Sequence, residues 1–278
     1  MQQKSFLGRF MKNPVIPAGA IIILLVILVG ILAPFLAPHS PSKMHPRDRR
    51  SAPNLEYFLG TDRLGRDILS RMVYGTRISL IIGVLAVLVA LVIGATTGLV
   101  SGYYGGMLDE ILMRIMDIIF SFPALLLAIA LIAITGPGIE NIIMVVGFVR
   151  IPRFARIVRS SVLSIKAKEY VEAARAISKS NIGIMWQHIL PNCVAPLTVE
   201  ASLSIATAII TESALSFLGL GVRPPIPSWG QMIADGRSEL FTAPWIVIFP
   251  GVAIMVTVLG YNLLGDGLRD ALDPRMKR

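Results

Sequence analysis

The chain has 278 residues, 54% of them hydrophobic and only 15% charged, with a mean hydropathy of +0.71. Soluble domains carry about 25% charged residues; here the apolar excess is gathered into blocks too long for core strands, which excludes soluble, disordered and collagen-like classes. Cys193 is the only cysteine, so there is no disulfide scaffold, and the net charge of +9 reads as juxtamembrane anchoring rather than nucleic-acid binding.

A transmembrane helix needs roughly 20 apolar residues. The first uncharged block, 15–37, follows Lys4, Arg9 and Lys12. It exceeds the ~7–15 residues of a signal-peptide core, so it is predicted to be a membrane anchor. Residues 78–108 and 118–139 form the second and third blocks. A fourth span is predicted around 141–149, reaching back from Glu140 and forward through Ile151, Phe154, Ile157 and Val158. Arg150, Arg153, Arg156 and Arg159 then snorkel or leave the membrane. The fifth span, 193–220, is interrupted by Glu200 and Glu212, and the sixth covers 240–265. Pro123, Pro196 and Pro250 are expected to bend their spans.

The predicted fold is therefore all-α: a polytopic membrane protein with six transmembrane helices and both termini on one side. It divides into residues 1–78 (tail, first helix, external loop) and a five-helix core, 79–278, with a cytoplasmic loop at about 160–192. With the termini inside, 16 basic residues lie inside and 10 outside, 8 of the latter between positions 43 and 77. The positive-inside rule favours this orientation by that margin. Gly94, Gly98, Gly102 and Gly106 recur every four residues. Such a face admits a close helix, within this chain or in another subunit.

Between spans four and five, Val171, Ala174 and Ile177 mark one face of a short amphipathic helix. Turn formers follow at 178–183; then Ile182, Met185 and Ile189 give a second apolar face, and Pro191 closes the segment. Two short helices standing off the membrane suit a soluble partner; an interfacial helix lying on lipid is the alternative.

The run Tyr170-Val171-Glu172-Ala173-Ala174-Arg175-Ala176 followed by Ile189-Leu190-Pro191 resembles the EAA loop of permease subunits in binding-protein-dependent ABC importers. Three more strings resemble the peptide/nickel branch and its dipeptide-permease C-type subunits. They are Phe58-Leu59-Gly60-Thr61-Asp62-Arg63-Leu64-Gly65-Arg66-Asp67, Ser216-Phe217-Leu218-Gly219-Leu220-Gly221, and a C-terminal run from Gly265-Asp266-Gly267 to Asp273-Pro274. Jointly they cover the chain from about Phe58 onward. One departure stands out: the family's loop glycine falls on Ser178, and serine tolerates a left-handed turn poorly.

The resemblance implies the type I ABC importer permease fold with cytoplasmic termini, in the bacterial cytoplasmic (inner) membrane. It implies a second, homologous permease subunit, two ABC ATPase subunits, an external solute-binding protein and surrounding lipid as partners, with no nucleic acid. Carried over residue by residue, Glu172, Ala173, Ala174, Ser178, Ile189, Leu190 and Pro191 form the ATPase contact, and residues 63–77 and 219–229 face the binding protein. No cofactor is expected in this chain; ATP and Mg belong to the ATPase subunits. The expected cargo is di- or oligopeptides, with glutathione-like compounds or nickel complexes as alternatives.

The residues themselves supply no engine. There is no G-x-x-x-x-G-K-[ST] loop and no H-E-x-x-H, and His39, His45 and His188 are isolated in sequence. The chain is therefore read as a transport subunit and not an enzyme. A secondary transporter calls for inverted repeats or paired intramembrane charges, and a membrane enzyme for a catalytic constellation, none of which is evident. Asp117, Glu200 and Glu212 are the ionisable residues of the spans, with Arg114 three positions from Asp117 as a helix-face partner.

Overall fold

A computed structural model describes residues 14–272 and shows an all-helical chain. α1 is Val15–Ile31, continued after a break at Leu32 by the single turn α2, Ala33–Leu36. The long helix α3 runs over Ile68–Tyr104 and ends at Gly105 (φ 70°). α4 (Gly106–Ser121) and α5 (Ala124–Thr135) follow, then α6 (Ile139–Ile165) and the short α7 (Glu169–Ala176). α8 (Asn181–Ile184) leads through a π-helical turn, Met185–Ile189, into α9 (Leu190–Phe217). α10 (Trp229–Gly236) and α11 (Trp245–Leu272) complete the described chain.

Among the described residues three helices are long and apolar enough to cross a membrane: α3, the continuous 181–217 helix, and α11. α4 and α5 amount to a fourth span if taken together, but they are bent by 91°. The apolar block at 118–139 is thus not the single helix expected from its composition. Pro123 has no N–H to continue the ladder and pushes Phe122 into an extended conformation (ψ 139°), so the helix must restart. Pro152, Pro196 and Pro250 lie inside continuous helices. α1 spans 17 residues, and α6 has 27 but carries its four arginines.

The glycine contacts fix the helix directions. A Cβ built on Gly147 of α6 would meet Ala86 and Val89 of α3; on Gly94, Phe154 and Ile151; on Gly98, Ala155; on Gly102, Val162. Both numberings rise together, so α3 and α6 run parallel. Gly19 of α1 lies on Gly260 and Leu264 of α11, while Gly267 lies on Ile16, so those two run antiparallel. The start of α1 and the end of α11 therefore share one end of the bundle. Gly83 lies on Ile209 and Ile205 while Ser79, one turn earlier, bonds Glu212, so α9 runs antiparallel to α3.

The core sits along the α3–α6 seam, where Ala86, Ala90, Phe154, Ala155, Val158 and Val162 are all fully buried. Among helices in lipid no hydrophobic gain drives association, so close backbone approach through small residues must supply it. A Cβ at Gly98 would fall 2.2 Å from the Ala155 carbonyl oxygen, closer than any side chain permits. Gly106 is different: it has φ 57°, nothing lies within 4 Å of its Cβ position, and it forms the turn into α4 rather than a helix face.

At the end where α3 begins, residues 37–67 fold into a polar cap. Asp67 caps α3, accepting from Ser70 N at 2.8 Å and Ser70 Oγ at 2.6 Å. Asp62 turns the chain by accepting from Leu64 N and Arg66 N with Oδ1, and takes Arg66 Nε at 2.5 Å on Oδ2. Arg66 and Arg71 reach Asp235 of α10 at 3.2 and 3.8 Å, Arg63 reaches it at 3.7 Å, and Arg50 holds Glu239 at 2.8 Å. Tyr57 donates to Asp48 at 3.2 Å, and burial with that carboxylate pushes its phenol up to about 12, so it stays a donor. The basic residues of this loop are thus half spent on internal ion pairs: Arg50, Arg63, Arg66 and Arg71 out of the 8 between positions 43 and 77.

Candidate functional site

At the other end of the bundle, α6, α7 and the 177–189 segment build a protruding knob. α7 forms because Lys168 breaks from the helix as an extended residue (ψ 143°) and Glu169 and Glu172 occupy the first turn, where the helix dipole favours acids. Val171 and Ala174 face inward, 0% and 5% exposed, onto the cluster that holds Val162, Ile165, Ile184 and Ile189. Ile177, read from its spacing as the third member of that face, is instead 78% exposed. It caps the helix C-terminus (ψ 16°), so the helical period no longer applies to it.

The turn stays on Ser178, which adopts φ 59°. Ser178 N donates to Arg175 O at 2.9 Å and Lys179 N to Ala174 O at 3.2 Å, the paired bonds of a Schellman cap. α9 ends in the same way, with Gly219 (φ 81°) in the left-handed position and bonds from Gly219 N to Ser216 O and Leu220 N to Leu215 O. One cap has glycine and the other bears the cost of a Cβ.

Ser180 then caps α8 by accepting from Gly183 N at 3.2 Å. The expected second face is shifted: Ile182 is 66% exposed, whereas Ile184, Met185 and Ile189 are buried. Nor does Pro191 close the segment. Leu190 N–H bonds Met185 O, five residues back, and this widened turn makes room for a ring that has no N–H to give, so the helix runs on into α9.

The knob is tied to the bundle. Tyr103 at the end of α3 donates its hydroxyl to Asn181 Oδ1 at 2.8 Å, and the Arg175 guanidinium lies 5.4 Å from the same ring. Lys166 Nζ donates to Gly102 O at 2.9 Å, satisfying a free carbonyl at the α3 C-terminus. His188 meets Lys179 Nζ at 2.9 Å within the knob.

Of the residues singled out from the sequence, Glu172, Ala173, Ser178 and Pro191 are exposed, Leu190 is half-buried, and Ala174 and Ile189 lie in the core beneath them. The structure leaves Ile177 and Ile182, placed by their spacing on apolar faces, exposed, and beside them Trp186, which sequence reasoning missed, is 61% exposed. The i, i+4 spacing of Ile182 and Trp186 was the available signal.

Above the knob, α6 carries an arginine ladder. Arg159 holds Asp109 through Nε and Nη2, both at 2.6 Å, and Asp109 also accepts from Ser101. Arg156 pairs with Asp117 at 2.7 Å and lies 4.3 Å over the Phe120 ring. Asp117 thus pairs across helices and not with Arg114, three positions away on its own helix. Arg153 holds Glu200 of α9 at 2.5 Å. Glu212 is fully buried and accepts from Ser216 at 2.8 Å and Ser228 at 3.0 Å, pinning the α9–α10 loop. Among the described residues no group of His, Cys, Asp and Glu is arranged to hold a metal.

Comparison with known proteins agrees with this architecture. Residues 90–278 match the family described as binding-protein-dependent transport system inner membrane component, and residues 2–53 match the N-terminal TM domain of oligopeptide transport permease C. The dipeptide transport system permease protein DppC of Alkalihalophilus pseudofirmus is 48% identical over 266 residues, 96% of this chain and 88% of the relative. The glutathione transport system permease protein GsiD of Pectobacterium atrosepticum is 46% identical over 275 residues, 99% of this chain and 91% of the relative. An inward-facing structure of the MetNI methionine ABC transporter shares the fold, with a TM-score of 0.60 at 20% identity over 73% of this chain and 96% of that one. The chain belongs to the binding-protein-dependent transport system inner membrane components and is the permease subunit of a bacterial ABC importer, without an ATPase of its own.

Proposed function

We propose that this subunit imports di- or oligopeptides, as one of two homologous permease subunits whose knobs are gripped by two ATPase subunits. The observation that carries the coupling reading is the Tyr103–Asn181 tie together with exposed Glu172 and Ala173. A partner pressing on that face moves α3 and α6 directly. Ala173 is small enough to let a groove close on α7, and exposed Ile177, Ile182 and Trp186 offer apolar contact beside it. ATP and Mg reside in the ATPase subunits, and no nucleic acid takes part. The knob and both termini face the cytoplasm; six crossings follow if α1 and α6 each count as one and the bent pair α4–α5 as another. The cap end then meets the solute-binding protein, through the exposed part of residues 63–77 and the 219–229 loop. The peptide cargo rests on the dipeptide and glutathione permeases to which the chain is similar.

The test is Ala173→Arg in the assembled transporter. The variant inserts and folds, but ATP-dependent dipeptide uptake into proteoliposomes is lost. Full uptake with a normally assembled ATPase overturns the docking assignment.

A further inference from the structure

Arg150 stands apart from the rest of the α6 ladder. Arg153, Arg156 and Arg159 each hold a carboxylate within 2.5–2.7 Å, whereas among the described residues no carboxylate lies within 4 Å of Arg150. Its Nη2 donates to Thr211 Oγ1 at 3.2 Å, and its Nε is buried without a hydrogen-bond partner. The Thr211 hydroxyl itself donates back to Thr207 O at 2.8 Å, leaving lone pairs for the guanidinium.

This group sits at membrane depth. Gly147, one turn before Arg150, lies on Ala86 and Val89 of α3, and Ile209 of α9 lies on Gly83. Those positions fall within the 78–108 block of α3, which has no charge. A guanidinium at that level does not face lipid; it faces water or an anion brought by another molecule. Arg150 and Arg153 against Glu200 leave one positive charge (two minus one) at this site. Thr207, exposed, and Thr211, half-exposed, stand one turn apart beside it on α9. Farther along, Arg153, Glu200 and Arg269 line an open cavity of about 510 Å³ between α6, α9 and α11.

We propose that Arg150, Thr207 and Thr211 line the transport passage and receive a carboxylate of the transported solute. The planar fork of the guanidinium matches a carboxylate, and the hydroxyls complete its solvation. One net charge, already half-satisfied by Thr211, holds an anion weakly enough to release it, as conduction requires. A peptide always brings such a carboxylate, so this deepens the import reading and depends on it. The charged cavity that follows gives the anion a next stop.

The test uses the complete transporter in proteoliposomes, with Cys193→Ala as background and Thr207→Cys as reporter. Two methanethiosulfonates of similar size are compared, one bearing a sulfonate and one a quaternary ammonium. The sulfonate reagent is expected to label at least fivefold faster, a preference erased by Arg150→Gln and retained by Arg150→Lys. No labelling by either reagent, or a preference indifferent to Arg150, overturns the proposal. ATP-driven dipeptide uptake by the unsubstituted transporter is measured separately. Its failure would sink the import reading without touching the labelling result.

Discussion

Tyr103 and Asn181 lie 78 positions apart, yet a 2.8 Å hydrogen bond joins the last turn of α3 to the first residue of α8. That bond makes the knob an extension of α3 as well as of α6. Tyr103→Phe removes the hydroxyl but keeps the ring under Arg175. A typical net hydrogen bond is worth about 1 kcal/mol, roughly a fivefold change in the population of the docked knob. Peptide taken up per ATP hydrolysed is expected to fall severalfold, with assembly unchanged, in a proteoliposome assay reading both quantities.

Ser178 occupies a left-handed conformation at a position where a Cβ is penalised. Ser178→Gly should therefore stabilise the knob by about 0.5–1 kcal/mol. Thermal unfolding of the purified complex checks this, and an unchanged or lower Tm contradicts it.

Gly98 and Gly106 have the same spacing in sequence but opposite surroundings. Gly98→Ala forces a methyl into the Ala155 carbonyl, and the α3–α6 seam must open, at a cost of about 2–3 kcal/mol. Gly106→Ala meets no atom within 4 Å and carries only the cost of its positive φ, about 1–2 kcal/mol. Membrane abundance and detergent-solubilised Tm should rank wild type above Gly106→Ala, and Gly106→Ala above Gly98→Ala.

Asp62 is 3% exposed and faces Arg66 and Arg71, both buried. Asp62→Asn leaves buried cations short of charge, a loss of about 3 kcal/mol or more for a broken buried pair. The cap should loosen first. Limited proteolysis between positions 37 and 67 is expected to accelerate while cleavage of the knob does not.

Much of this molecule was legible in its sequence where composition acts alone. The uncharged run from Ile78 onward is a helix because nothing in it can leave the membrane, and α11 follows for the same reason. What escaped were features decided by single backbone atoms. Pro123 turns one apolar block into two helices at 91°, while Pro191, with an equal claim to end a helix, is absorbed by a π-turn. Helical spacing put Ile177 on the buried face of α7, but the Schellman cap ends the helix one residue earlier. Asp117 has a partner at i−3 in sequence, yet the cross-helix Arg156 wins because α6 brings a guanidinium to 2.7 Å. The motif around Asp62 was recognisable as a string; that Arg66 and the following Arg71 are buried struts, with exposed Arg63 also paired to Asp235, appears only once α10 is beside them.

The parallel seam between α3 and α6 has a mechanical consequence. A helix of 37 residues at 1.5 Å each is a rod of about 55 Å, longer than the hydrocarbon layer it crosses. Glycine contacts fasten it to α6 at four levels, Tyr103 and Lys166 bolt its lower end to the knob, and Asp67 seats its upper end in the cap. These fastenings lie along the whole length of α3, from its cap to its last turn. The far end of that rod rests on the Asp62–Arg66–Asp235 cluster, so one continuous helix joins the knob to the ion pairs of the cap.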